Sequence, residues 1–152
     1  MSEIGLSSIY LQKLATYCLE NFVAVIPCDE LFSYDMVSKM QFIVNLSHSK
    51  IQGTHWVAIS IHENFVTYFD SFGKKCSNPW ILRKFHHNCL IQSTKQIQAY
   101  SSVMCGYFAL SFLIEDSKGK SLEEYLNVFH SDLVKNDTKC VSIIKQHIKK
   151  NK

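Results

Sequence analysis

The stretch that most constrains this chain is residues 103–114, Val-Met-Cys-Gly-Tyr-Phe-Ala-Leu-Ser-Phe-Leu-Ile, in which almost every side chain is apolar or small. A helix with no polar face is stable only at the centre of a domain, covered on all sides. The sequence therefore predicts a buried central helix, with Ser101 and Ser102 standing where an N-cap belongs. With Ser102 as cap, Cys105 falls at the third helical position. In a first turn the unpaired N–H groups and the positive end of the helix dipole favour an anion. A thiol held there loses its proton more readily, and the thiolate is the nucleophile. Gly106 leaves room for another backbone to approach. On position alone the competing reading of Cys105 is a small buried core residue, so the partners elsewhere in the chain decide.

A central helix needs enough apolar material to cover it. At 152 residues, with 47% hydrophobic and 19% charged, the chain has it, and one domain over 1–152 is expected. No apolar run is long enough to span a membrane. The start Met1-Ser-Glu-Ile-Gly-Leu6 lacks the basic and apolar pattern of a signal peptide, and the six cysteines are irregularly spaced. Both features point to free thiols in a reducing compartment. A net charge of +3 permits a nucleic-acid contact without arguing for one. The basic end, Lys145, Lys149, Lys150 and Lys152, reads as a solvated helix face, with weak DNA or anionic-surface binding as the alternative.

Around the central helix the pattern is mixed. Residues 7–20 read as a helix with Ile9, Leu11, Leu14, Ala15 and Cys18 on its apolar side. Residues 22–31 are extended or turn, because Pro27 disfavours helix at Ile26. Residues 41–46 read as a strand and 47–54 as a loop. Residues 55–61 and 65–70 form two β-rich runs. A two-residue turn at His62-Glu63 pairs Ile59 with Val66, Val57 with Tyr68, Trp56 with Phe69 and His55 with Asp70. A four-residue loop would still leave His55 and Asp70 on one face. Residues 80–87 suggest a short helix opened by Asn78-Pro79, and 89–94 another strand. Ser121 to Glu124 is a capping box for a helix to about His130, and Asp137 is placed as cap of a last helix striped by Val141, Ile144 and Ile148.

His55, Asp70, Gln98 and Cys105 together make the set required for acyl transfer through a thiol. His55 would take the thiol proton and return one to a leaving amine. Asp70 would orient the imidazole and stabilise its cation. The Gln98 amide and the Cys105 backbone N–H would donate to a tetrahedral oxyanion.

The segments Gly53-Thr-His-Trp-Val-Ala58, Phe69-Asp-Ser-Phe-Gly73 and Gln98-Ala-Tyr-Ser-Ser-Val-Met-Cys-Gly106 resemble the three motifs of the adenain family of viral maturation proteases. The likeness is greater to the adenain-like proteases of virophages and large virus-like DNA transposons. In that family the catalytic histidine precedes a tryptophan, as His55 precedes Trp56, and the acid lies in a Phe-Asp/Glu-x-Phe/Tyr-Gly segment, as Asp70 does. The oxyanion glutamine stands seven residues before the Cys-Gly pair, as Gln98 does before Cys105. Residues 22–31 resemble a further upstream family segment, so the similarity runs from 22 to 113. Ubiquitin-like-modifier proteases share this order of catalytic residues more distantly. The chain is shorter than adenain, carries Asp70 where adenain has glutamate, and has no cysteine at the spacing of adenain's peptide-linking one. Activation by a peptide or by DNA, known for adenain, therefore has no support in the residues, and no cofactor is required.

Other residues invite functional readings but have plainer ones. Trp56 alternates to the face opposite His55 and is read as core. Asp29 suits a turn or cap, and Cys18, Cys28 and Cys140 suit packing. Cys76, His86, His87 and Cys89 match no usual zinc spacing.

The reading is an α+β fold, the helix of Cys105 packed on a small mixed β-sheet that holds His55 and Asp70. The resemblance implies a papain-like geometry in permuted order and a cysteine endopeptidase cleaving capsid or scaffold precursors at the assembly site, in virion and infected cell. The alternatives are a protease of ubiquitin-like modifiers, or an acyltransferase or inactive binding module on the same fold.

Overall fold

The computed structural model describes residues 7–47 and 55–151. Residues 48–54 of the expected loop, including Gly53 and Thr54 of the first motif, lie outside the described residues, as do Met1–Leu6 and Lys152. Helix α1 (Ser8–Cys18) is followed by β1 (Phe22–Pro27), a 3-10 segment (Cys28–Ser33) with Asp29 in its first turn, and β2 (Gln41–Asn45). Next come β3 (Trp56–Ile61), β4 (Val66–Phe69), α2 (Pro79–Lys84) and β5 (Leu90–Ile91). Helices α3 (Cys105–Ser117), α4 (Leu122–Leu126) and α5 (Asn136–Lys150) complete the order. The five strands lie in sequence order. The outer pairs β1–β2 and β4–β5 are parallel and the inner pairs antiparallel, so the sheet is mixed.

Both faces of the sheet are covered, which is why β2 is buried at every position, with no polar-out alternation. On one face Ile43, Ala58 and Phe69 meet Phe108, Phe112 and Leu113 of α3, with α1, α4 and α5 closing over that helix. Phe69 stands 5.1 Å from Phe112 and 5.3 Å from Tyr125, whose hydroxyl is bonded to Ser111 inside the core. Cutting back an aromatic side chain in such a cluster costs ~3–5 kcal/mol. On the other face Phe42, Val44, Val57, Ile59 and Tyr68 pack on Leu31, Ile81 and Phe85. The central helix is thus enclosed from Phe108 through Ile114, as its lack of a polar face demands.

Local signals account for several boundaries. The Ser7 hydroxyl accepts from Tyr10 N–H to cap α1, and Asn78 caps α2 with Pro79 at its first position. Ser121 and Glu124 complete a reciprocal capping box at α4. Other expectations fail where tertiary contacts compete. Ile9 faces solvent at 71% exposure and takes no part in the buried side of α1, which is Leu11 and Ala15. Helix α4 stops at Leu126, with turn bonds carrying the chain on to Phe129. Asp137 does not cap α5, whose cap position is Lys135; it lies in the first turn and accepts from Ser102 instead. Ser102 likewise does not cap α3: the helix begins after Met104, with no side-chain cap. Trp56 is half-buried against the α3 core and pairs with Asn45, not Phe69.

Candidate active site

His55 immediately precedes β3 and Asp70 immediately follows β4, and the strands are antiparallel, so both residues emerge at the same end of the sheet. The register differs from the two-residue-turn expectation. Ile61 pairs with Val66, leaving residues 62–65 as the loop, closed by His62 N–H donating to Phe65 O at 2.8 Å. A shift of two preserves the face of every side chain, so His55 and Asp70 become diagonal neighbours and not direct partners. The side chains still meet, with Nε2 of His55 2.8 Å from Oδ1 of Asp70.

Asp70 is held by its own turn. Its Oδ1 also accepts from Phe72 N–H at 2.8 Å, and its carbonyl accepts from Gly73 N–H. Gly73 has φ +75, and a Cβ there would lie 2.6 Å from the backbone nitrogen of Gln96. Only glycine fits both the left-handed conformation and the close approach, which gives the Phe69–Gly73 segment a physical reason for its last residue.

Cys105 is the first residue of α3, two positions earlier in the helix than Ser102 as cap would place it. The first intrahelical bond runs from Phe108 N–H to Met104 O. The N–H groups of Cys105, Gly106 and Tyr107 therefore have no partner within the helix and, with the dipole, favour an anion at this end. The thiol is half-buried and unpaired with any other cysteine.

The imidazole joins the two elements. The His55 and Asp70 side chains are 12% and 4% exposed. With Nε2 taken by Asp70, Nδ1 is buried without a hydrogen-bond partner, and it is the nitrogen left to the thiol. Burial acts on His55 most strongly and opposes its charge. The hydrogen bond and charge of Asp70, with the Cys105 sulfur alongside, outweigh it and push the imidazole up to about 9. At neutral pH this favours the protonated imidazole.

Gln98 is fully buried at the same end, but its amide is engaged. Ser71, next to Asp70, donates to Gln98 Oε1, while Nε2 donates to Ser102 O at 3.0 Å and Ser102 Oγ at 3.2 Å. Ser102 Oγ in turn donates to Asp137 at 2.8 Å and accepts from Met104 N–H at 3.1 Å. The structure brings His55, Asp70 and Cys105 together, and it makes Gln98 a brace between the Asp70 loop and the loop entering α3. Sequence reasoning missed Ser71 and Asp137 in this brace. Ser71 lay inside a motif already singled out; Asp137 joins through α5, which no local pattern could foretell.

No family model matches the sequence, and no curated protein matches it. Solved structures do. One is the crystal structure of the ASFV pS273R protease, at TM-score 0.54 and 16% identity, covering 93% of this chain and 66% of that one. The fold is the one this protease has. The chain spans about two thirds of the length of the protease it matches. A second is the SUMO protease Ulp1 with its catalytic cysteine oxidised to a sulfinic acid, at TM-score 0.48 and 12% identity over 91% of this chain and 75% of that one. At 16% identity the likeness to the ASFV protease is one of fold. Among the described residues no helix is long and apolar enough to cross a membrane, and no group of three or more His, Cys, Asp or Glu is placed to hold a metal. Lys145, Lys149 and Lys150 are exposed on the second half of α5.

Proposed function

We propose that the chain is a single-domain cysteine endopeptidase in which Cys105 is the nucleophile, His55 the acid–base group and Asp70 its orienting partner. The observation that carries this is the 2.8 Å bond from His55 Nε2 to Asp70, which leaves Nδ1 for a thiol at the start of α3. With the proton of Cys105 held on Nδ1 of His55 and Nε2–H on Asp70, the pair is a thiolate and an imidazolium, and the sulfur attacks the scissile carbonyl carbon. The oxyanion forms against the N–H groups at the head of α3, with Gln98 adding a donor once one of its amide hydrogens leaves Ser102. The tetrahedral species collapses as His55 protonates the leaving amine and the C–N bond breaks. Water then attacks the thioester, losing its proton to His55, and the acid product departs with Cys105 restored.

The substrate we propose is a viral capsid or scaffold precursor cut during virion maturation, at an extended segment with glycine beside the bond. A missing Cβ lets the substrate backbone settle near the head of α3, where Gly106 is buried between half-buried Cys105 and Tyr107. The similarity of the three motifs to the adenain family supports the viral role. The test incubates the chain and its Cys105→Ala variant with capsid precursors, and in parallel with folded modifiers extended beyond a C-terminal Gly-Gly. A new N-terminus in an exposed precursor linker, absent with Cys105→Ala, is expected. Rapid cleavage of the modifier with precursors left whole would transfer the assignment to a modifier protease. No Cys105-dependent cleavage of either would remove it.

A further inference from the structure

The face of the imidazole, as distinct from its two nitrogens, is also occupied. Phe72 stacks on His55 with ring centroids 4.5 Å apart and planes 23° from parallel. Tyr100, 66% exposed, lies on Phe72 at 5.2 Å, and Lys74 Nζ stands 5.6 Å from the Tyr100 ring. A column thus runs from solvent to the imidazole as Lys74, Tyr100, Phe72, His55. Its inner end is set by covalent neighbours: Asp70 Oδ1 accepts from Phe72 N–H while bonding His55, and Gly73 turns the chain behind it. One carboxylate therefore fixes both the imidazole edge and the ring laid on its face.

We propose that Phe72 is a positioning residue for His55, whose ring face stabilises the imidazolium and holds its plane so that Nδ1 stays on Cys105. The aromatic quadrupole attracts a cation lying over its face within about 6 Å of the ring centroid. The stack is partly desolvated, which strengthens that attraction, and it covers a side of the imidazole that water would otherwise reach. The other groups acting on His55 are Asp70 and Cys105. Tyr68 and Cys76 lie on Asp70's side of the pair and feel its charge, and Lys74 is separated from His55 by two rings. A ring of the same shape and weaker quadrupole at 72 leaves each of these groups its present neighbours. The role rests on the proposed acid–base function of His55, but its test does not.

The experiment is an NMR titration of the His55 ring in the whole chain, comparing wild type with Phe72→Leu, Phe72→Tyr and site-specific fluorinated phenylalanines at 72. The fluorinated rings keep the shape and progressively weaken the quadrupole, so the comparison survives even if Phe72→Leu fails to fold. Phe72→Leu should lower the His55 midpoint by roughly 0.5–1.5 pH units, Phe72→Tyr should leave it in place, and fluorination should lower it stepwise. On a cleaved substrate, the alkaline limb of kcat/KM should move down with the midpoint while KM holds. A midpoint unchanged by fluorination, or raised in Phe72→Leu as if water had simply entered, would overturn the role. Because the titration needs no turnover, that result stays separate from any failure of the protease assignment.

Discussion

Strand β3 carries a histidine just beyond each of its ends, and each is bonded to an aspartate. His55 Nε2 lies 2.8 Å from Asp70, and His62 Nε2 lies 2.9 Å from Asp116. Each imidazole also stacks on a phenylalanine, His55 on Phe72 at 4.5 Å and His62 on Phe65 at 4.4 Å. The two pairs sit at opposite ends of α3. Cys105 opens that helix, whereas Asp116 is in its last turn. The far carboxylate faces the negative end of the helix dipole, which disfavours it. It is sustained by Ser60 Oγ at 2.6 Å and Gln41 Nε2 at 3.2 Å as well as by His62. Gln41 also reaches Leu113 O and Ser117 Oγ, so this cluster clamps β2 and β3 to the end of α3. A His–Asp pair is thus equally good as a clamp. What separates the two ends is a thiol at the positive end of the helix and a buried ring nitrogen left open toward it.

The largest expected effect tests that separation directly. Cys105→Ala should abolish turnover with the fold intact, and an alkylating agent should label Cys105 ahead of the other five cysteines. Cys28 and Cys140 are buried, and burial, with Asp137 nearby, pushes the Cys140 thiol well up. Next, His55→Ala should lower kcat by roughly 10²–10⁴ and His62→Ala by less than about twofold. His62→Ala should instead cost ~1–3 kcal/mol of stability, roughly 3–10 °C in Tm, by stripping a partner from a buried carboxylate. Equal activity losses at the two histidines would erase the distinction. Within the active pair, His55→Ala with Asp70→Ala should be little worse than His55→Ala alone, because residues acting as a unit are not additive.

Gln98→Ala should reduce kcat by roughly 10²–10³ with KM nearly unchanged if its amide reaches the oxyanion. Steady-state kinetics on Ser102→Ala sharpens the point. Removing the Ser102 Oγ contact, with the bond to Ser102 O kept, should cost far less than removing the amide, and a loss equal to that of Gln98→Ala would make Gln98 a brace alone.

The smallest effect is on stability against pH. The folded pKa of His55 lies above the ordinary value of 6.5, at about 9. Its contribution is therefore complete below about pH 6.5 and fades as the pH rises through about 9. Buried Tyr68 and Tyr125, whose pKa values are raised chiefly by burial, add their own alkaline loss, as does Cys140. The comparison is accordingly the difference in denaturation midpoint between wild type and Asp70→Asn. That difference should shrink between pH 7 and 10, and a constant difference would deny the linkage.

Much of this was legible in residue order because the causes are local. Alternation decides which face a strand residue takes, whatever the loop length, so His55 and Asp70 shared a face even though the turn proved two residues longer. An all-apolar run must be enclosed, so α3 had to be central. Capping by Asn78 and Ser121 needs only neighbours within a turn. Tertiary structure alone decided the rest. Ser102 and Asp137 each looked like a helix cap, yet they bond to each other across the loop–α5 contact at 2.8 Å. A side-chain oxygen takes the better partner brought to it, and sequence spacing does not record which distant groups arrive. The same holds for Gln98, whose offset from Cys105 says nothing of Ser71 and Ser102 closing on its amide, and for Phe72, laid on His55 by a turn whose bonds form only in the folded chain.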